Sequence, residues 1–320
     1  MQPKDKLSIY LIFDQDRLIA FFPLYLKHTA YGFELRFLGT GEPESAEVCS
    51  EFQDFVIHPD YLEASLHLLS QQVRHLKRCY RISFENIHQD AICAVWLKTH
   101  QPSYWYHTER HQGGHYAFPV EQDETAQIKQ LPQSTLRRYA RRFLKQDHIS
   151  VQYCETVEDI ERFFDVLIGL HTEQWHQRHK PGAFTSKDFR KFHVDLSRRL
   201  LKKNKLLLFT LAHHSKAIAA FYGFYHEDTL YYYQSGISQD SPLPNTGIAI
   251  HLVALRKARQ HQCRDYDLMK GSFHSYKQGY TMPVQTVVSV SYTQPLIATI
   301  FFIRRCVMKL YKQCMILFRQ

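Results

Sequence analysis

The sequence predicts a mixed α/β (α+β) fold of two tandem lobes, each a mostly antiparallel sheet flanked by helices. Two observations carry this expectation. Two distant stretches share a pattern, Arg17-Leu-Ile-Ala-Phe-Phe22 and Lys216-Ala-Ile-Ala-Ala-Phe221, and the order hairpin, helix, strand follows in both places. A chain of 320 residues with 44% apolar and 22% charged residues has ordinary globular composition and room for two domains.

In the first copy, the apolar run Ile9 to Phe13 and the polar turn Asp14-Gln-Asp16 lead into the strand at Arg17. Tyr61, Leu62, Ser65, Leu66, Leu69, Val73 and Leu76 then recur at helical spacing, and Cys79 to Glu85 reads as a strand. In the second copy, Leu206 to Ala212 and the turn His213-His-Ser215 precede the strand at Lys216. A helix follows on Ile248, Ile250, Leu252, Leu255 and Ala258, and then a strand from Cys263 to Met269. Between the copies, Ser134 is placed to cap a helix to about Gln146 with Leu136, Tyr139, Ala140, Phe143 and Leu144 on its apolar face. Thr156-Val-Glu-Asp159 and Thr185-Ser-Lys-Asp188 are capping boxes, in which a hydroxyl satisfies an orphan N–H of the first turn. The first opens a long helix closed by Pro181-Gly182, and the second a helix to about Lys203. These elements divide the chain into a lobe at 1–118, a second at 119–294 and a basic amphipathic tail helix at 295–320.

The net charge of +9 is local. Lys129, Arg137, Arg138, Arg141, Arg142 and Lys145 fall in 125–146 with no acid between them. Arg304, Arg305, Lys309, Lys312 and Arg319 do the same in 285–320, so the rest of the chain is slightly acidic. The 7 cysteines form no CxxC pair, which argues for reduced thiols in a cytoplasm and against a disulfide framework or zinc ribbon. No apolar stretch reaches the ~20 residues that span a bilayer, and Met-Gln-Pro-Lys-Asp-Lys opens on mixed charge, unlike a signal peptide.

From residue 149 the order is strand, helix, helix, hairpin strands, helix, strand. With that order, several short runs give the chain a resemblance to the GNAT superfamily of N-acyltransferases, and within it to the FemAB-like, CelD-type branch. They are Leu136-Arg-Arg-Tyr-Ala-Arg-Arg142, His171 with Trp175, Ile218-Ala-Ala-Phe-Tyr-Gly223, Tyr231-Tyr-Tyr-Gln-Ser-Gly236, and Asp267-Leu-Met-Lys-Gly271 followed by Tyr276-Lys277. The last is the most specific. The resemblance implies an enzyme that transfers an acyl group to an amine on a cell-envelope, polysaccharide or other biosynthetic precursor, with acetyl-CoA or another acyl-CoA as co-substrate and no metal. It makes the first lobe degenerate, since Glu85-Asn86 stands where the Asp-x-x-x-Gly pattern would be. The donor's pyrophosphate is expected at the start of the helix near Asn245, Thr246 and Gly247, where free N–H groups and the helix dipole favour anions. Tyr233 and Ser235, on the strand supplying the oxyanion donor, belong to the same donor site.

One departure bears on the donor. Ser241-Pro-Leu-Pro-Asn-Thr-Gly-Ile248 has one glycine and two prolines where the superfamily has a glycine-rich pyrophosphate loop. A charged tRNA is therefore the alternative donor, although no coiled-coil arm of the FemAB transferases is present. A non-catalytic module binding nucleic acid or a membrane surface is the third reading.

Asp267 is the candidate to orient or deprotonate the amine, Tyr276 to protonate the leaving group and Lys277 to hold a phosphate or carboxylate; a structural Asp267–Lys277 ion pair competes with these roles. Arg137, Arg138 and Arg141 either bind phosphate or form a solvated face. Lys270, His171 and Trp175 are candidates for the acceptor cleft, the last two also for plain packing. Strand alternation puts Tyr231 and Tyr233 on one face and Tyr232 on the other. His107, His111 and His115 have the spacing of helical metal ligands, and His171, His176 and His179 crowd together, but no cysteine or carboxylate completes either set. The acceptor is expected to be a small-molecule or lipid-linked amine. The tail at 295–320 fits either docking on its own domain or peripheral contact with the inner face of a membrane.

Overall fold

The computed structural model describes residues 4–42, 48, 50–100, 104–146, 148–176, 184 and 186–317. It is a mixed α/β protein with mostly antiparallel sheet and flanking helices. The chain forms two compact units, Met1–Gly41 with Cys49–Gln112 and Val287–Gln320, and Glu42–Val48 with Gly113–Thr286.

In the first unit β1 (Lys6–Leu7), β2 (Tyr10–Asp14), β3 (Arg17–Phe22), β4 (Leu24–Thr29), β5 (Gly32–Phe37) and β6 (Val56–Ile57) precede α1 (Leu62–Arg74), β7 (Cys79–His88) and α2 (Ile92–His100). Strand β8 (Tyr106–Pro119) runs on into the second unit at Gly113. There follow α3 (Glu124–Gln130), α4 (Ser134–Phe143), β9 (Ile149–Tyr153), α5 (Asp159–His176), α6 (Lys187–Lys202), β10 (Leu206–His213), β11 (Lys216–His226), β12 (Thr229–Ile237), α7 (Thr246–Gln260) and β13 (Asp265–Gly271). Strand β14 (Gln285–Thr293) returns to the first unit, and α8 (Pro295–Leu317) follows it.

The first unit's main sheet contains β1-β4-β5-β7-β14 in that order. β5 and β7 are parallel, with α1 as the crossover between them, and the other pairs are antiparallel. Pro23 separates β3 from β4. It has no N–H to give a ladder, and β3 pairs instead with β2 and β6 in a separate small sheet. Leu66 and Leu69 of α1 and Trp96 of α2 pack with Phe22, Phe37 and Phe84 in the core. Asp54 holds the start of α2, accepting from the N–H groups of Ile92 and Cys93 at 2.8 Å each.

The second unit has the order β8-β13-β12-β11-β10-β9. Again one pair is parallel, β12 with β13, joined by α7. One face carries α7 together with Ile128, Leu136 and Ala140 of α3 and α4. The other carries Phe163, Phe164 and Leu167 of α5 and Phe189 and Val194 of α6. Gly236 lets α5 approach β12, since a Cβ there would lie 2.7–2.8 Å from Leu170 Cβ, His171 N and Leu167 O.

The helix starts follow local chemistry, with two expected caps displaced by one residue. Thr156 Oγ1 accepts from Asp159 N–H at 3.3 Å, as its capping box predicts. The expected cap at Ser134 is displaced by one residue: Gln133 is the N-cap, makes no side-chain cap bond, and Ser134 is the first helical residue. Thr185 lies outside the described residues, and Ser186 caps α6 by accepting from Phe189 N–H at 3.3 Å. His107, His111 and His115 lie on strand β8, where residues four apart are about 13 Å apart, so the helical-ligand geometry does not arise. His179 lies outside the described residues.

Candidate active site

The ladder between β12 and β13 runs from Thr229 opposite Asp265 to Tyr231 opposite Asp267 and stops there. On the other edge of β13 the register with β8 shifts between Asp267 and Lys270, and Met269 takes a left-handed φ of 63° in that bulge. The Asp267-Leu-Met-Lys-Gly271 run is therefore a strand that begins regularly and is then bent away from its neighbour. Asp267 Oδ1 accepts from the Met269 N–H at 2.6 Å, which fixes the bend.

Asp267 is buried, and its second oxygen lies 2.8 Å from Nε2 of His115 on β8. Lys277, on the 3₁₀ turn Tyr276–Gly279, is also buried, and its ammonium donates to the carbonyls of Leu268 and Lys270. That cation therefore closes onto the bulge, and the carboxylate beside it has a histidine partner. Gly271 is tightly enclosed, since a Cβ there would meet Ser275 Oγ at 2.6 Å and Lys277 Cδ at 3.0 Å.

Tyr276 is 57% exposed overall, but its hydroxyl lies close to that of the buried Tyr232. Burial of that hydroxyl among Tyr232, Tyr280 and Tyr266 pushes its pKa up, so it keeps its proton at neutral pH and can donate. His251 on α7 completes the cluster, with Nδ1 2.7 Å from Tyr266 Oη. Burial, and then the neighbouring Lys277 charge, depress its pKa to about 3.

Along β12 the register with β11 also shifts, Tyr222 facing Gln234 and Gly223 facing Tyr232. Tyr233 is the extra residue of this bulge. The shift interrupts strand alternation and brings Ser235 onto the face of Tyr232, where their hydroxyls meet at 2.7 Å. The Tyr233 hydroxyl donates to Val48 O at 2.9 Å and lies 2.9 Å from His193 Nε2.

The helix expected at Asn245, Thr246 and Gly247 begins at Thr246. Asn245, the N-cap, is left-handed (φ 61°) and makes no side-chain cap bond. Thr246 Oγ1 donates to Ser241 Oγ at 2.6 Å, and around Gly247 the nearest atoms to a Cβ are 3.6 and 3.8 Å away. A small cleft at this helix start is lined by Tyr139, Arg142, Pro242, Pro244 and Asn245 among others. The arginine it holds is Arg142. Arg137 bonds the carbonyls of Leu131 and Pro132, and Arg138 and Arg141 are exposed on α4.

His171 on α5 is 1% exposed, and neither ring nitrogen has a hydrogen-bond partner among the described residues. Its ring lies 5.7 Å from that of Trp175 and 5.1 Å from that of Phe184. Burial depresses its pKa to about 4. Lys270 sits at the end of the β13 bulge, opposite His115. The structure thus brings Asp267, Lys270, Tyr276 and Lys277 to one strand end, with Tyr233 and Ser235 on the neighbouring strand. Sequence reasoning missed His115 as a partner of Asp267, because only the pairing of β8 with β13 places it there; Gly113-Gly114 was the nearest local signal.

A family model described as an acetyltransferase (GNAT) domain matches residues 133–278, just under half of the chain. The match opens on α4 and ends on the turn that carries Lys277. No curated protein matches the chain in sequence. Among solved structures, FemX is similar over 92% of this chain and 90% of its own, at 12% identity and a TM-score of 0.58. The C-terminal domain of a putative lysylphosphatidylglycerol synthetase from Agrobacterium fabrum covers 94% and 88% at 12% identity and a TM-score of 0.54. A tandem GNAT protein from the clavulanic acid biosynthesis pathway covers 92% and 85% at 8% identity and 0.50. At such identities the likeness is one of fold, a mixed, mostly antiparallel sheet flanked by helices. Residues 133–278, from the basic helix to the lysine that closes on the bulge, are therefore the part of the chain that is similar to a GNAT acetyltransferase domain.

Proposed function

We propose that the chain is an N-acyltransferase of the FemAB-like, CelD-type branch, acting in the cytoplasm. It moves an acyl group from acyl-CoA to an amine on a cell-envelope, polysaccharide or other biosynthetic precursor, the acceptor being a small-molecule or lipid-linked amine. The catalytic lobe is the one expected at 119–294, extended by the β8 residues from Gly113 that include His115, and the first unit is the degenerate one. The observation that carries this reading is the cluster of Asp267, His115, Tyr276 and Lys277 where β12 and β13 stop pairing inside a GNAT domain.

Acyl transfer needs a proton taken from the amine, a stabilised oxyanion and a proton given to the leaving group. Acyl-CoA, when bound, supplies the activated carbonyl. Asp267 and His115 take the amine's proton. Tyr276 holds a proton for the leaving thiolate because its enclosed hydroxyl does not ionise at neutral pH. Lys277 fixes the bulge that positions Asp267. The β12 bulge at Tyr233 and Ser235 shapes the donor channel, and the N-terminus of α7 at Asn245, Thr246 and Gly247, with Arg142 beside it, receives the pyrophosphate. Arg138, Arg141, Trp175 and Lys270 bind the acceptor; of the other two candidates, Arg137 is taken up by the carbonyls of Leu131 and Pro132, and His171 is buried against Trp175 and Phe184 as packing.

A charged tRNA as donor is the second reading. It draws support from the prolines at 242 and 244 in the loop before α7 and from the exposed Arg138, Arg141 and Arg142. Calorimetry with acetyl-CoA, followed by assays of CoA release and of tRNA deacylation on amine acceptors, separates the two. Acetyl-CoA binding with CoA release supports the first. Deacylation without CoA binding replaces it with the second, and neither activity overturns both.

A further inference from the structure

Helix α8 carries two apolar faces. Its inner face, Ile297, Ala298 and Phe301, is half-buried, and the Phe301 ring rests 5.4 Å from Tyr31 and 6.2 Å from Tyr80. Leu296, Ile300, Ile303 and Val307 recur at the spacing of a second face, and all are exposed, at 73, 36, 55 and 57%. Docking on its own unit thus accounts for one side of this helix and leaves a continuous apolar stripe in solvent.

The charge around that stripe has one sign. Arg304, Arg305 and Lys309 are exposed on α8, and residues 286–320 contain no acid. At the foot of the helix lies the turn Arg74-His-Leu-Lys-Arg78. Gln294 ties it there, donating from its side chain to Cys79 O at 3.0 Å and from its backbone to Tyr80 O at 2.9 Å. Arg74, Lys77 and Arg78 are exposed, and no acid occurs from 64 to 84. A groove of about 680 Å³ joins the turn to the stripe, lined by Arg74, Leu76, Tyr104, Trp105 and Leu296 among others. Tyr104, in that lining, is 70% exposed, and Tyr106, two residues further along the chain, is 64% exposed.

We propose that the first unit docks on an anionic lipid bilayer through the outer stripe of α8, with the groove and the basic turn at its foot facing the headgroups. An apolar stripe rimmed by cations and interfacial aromatic rings matches the acyl boundary and the negative headgroups of a bilayer. A second copy of the same helix would bring like charges together with no acid to offset them. Among the described residues no helix is long and apolar enough to cross a membrane, so the contact is peripheral. This inference does not depend on the acyl-transfer reading.

Co-sedimentation of the full chain with phosphatidylcholine vesicles, with and without phosphatidylglycerol, tests it. The chain is expected to bind the anionic vesicles, to be released by salt, and to bind the neutral ones at least tenfold more weakly. Ile303→Asp with Val307→Asp, and separately Arg74→Glu with Lys77→Glu, each reduce binding at least tenfold with an unchanged circular dichroism spectrum and melting temperature. A Leu296→Trp variant shows a blue-shifted emission on anionic vesicles, a readout free of any refolding question. No binding to anionic vesicles, equal binding to neutral ones, or undiminished binding by the Arg74 and Lys77 variant overturns the proposal. So does a concentration-dependent dimer, abolished by Ile303→Asp, in a chain that ignores vesicles.

Discussion

Asp267 and His115 meet at 2.8 Å although 152 residues separate them in the chain. Their strands, β13 and β8, come together only in the folded second unit, and both side chains project beside the bulge that Met269 and Lys277 stabilise. If this pair takes the acceptor's proton, Asp267→Asn keeps the acceptor oxygen for the Met269 N–H and removes the charge. We expect kcat/KM for CoA release to fall by roughly 100-fold or more, with little change in melting temperature. His115→Asn should lose a similar factor, and the double variant little more, because the two act as a unit. Unchanged turnover in both single variants would remove the pair from the mechanism.

Lys277 is a buried ammonium whose bonds go to two carbonyls of the β13 bulge. Replacing it with Met leaves Leu268 O and Lys270 O to find other partners. The expected loss is about 1–3 kcal/mol of folding stability, read from urea denaturation, together with reduced activity as the bulge relaxes. A variant as stable as the parent would show that the bulge holds itself.

The contact between α5 and β12 depends on Gly236. A methyl group there must displace Leu170 or the helix backbone, so Gly236→Ala is expected to cost about 1–3 kcal/mol. Gly247→Ala serves as the comparison. Its Cβ meets only ordinary van der Waals neighbours, at 3.6 and 3.8 Å, and the change should stay within about 0.5 kcal/mol. Equal midpoints for the two variants in chemical denaturation would contradict this packing.

Three buried histidines make stability depend on pH. Burial depresses His171 and His193 to about 4 and His251 to about 3, below their ordinary value of about 6.5. Between those values the unfolded chain binds protons that the folded chain refuses, so stability is fully present above pH ~6.5 and is lost as pH falls toward 4 and below. Each histidine contributes a slope of up to about 1.4 kcal/mol per pH unit. Urea midpoints across this range should fall with pH, and the slope should lessen in His171→Phe, which retains an aromatic ring between Trp175 and Phe184. A flat profile for the parent would contradict burial of these rings in neutral form.

Much of the secondary structure was legible in the sequence because its signals are local. The apolar periodicities of α1, α5 and α7, the Thr156 box and the turns at 14–16 and 213–215 each depend on neighbours a few residues apart. The repeat was legible for the same reason, since each copy carries its own hairpin, helix and strand signals. Ser134 misled by one position because Gln133 already has the extended backbone of an N-cap.

What only the tertiary structure decided are relations between strands. The bulge at Tyr233 turns Ser235 onto the face of Tyr232, which a period of two along the sequence cannot show. β14 pairs with β7, bringing residues 287–293 into the first unit, and Pro23 sends β3 into a separate sheet because a strand without that N–H breaks the ladder. Asp267 bonds His115 of a distant strand and Lys277 bonds two carbonyls of the β13 bulge, contacts that spacing along the chain does not show. The site depends on which strands share an edge and where their register slips, and those are set by hydrogen bonds and packing between residues far apart in the chain.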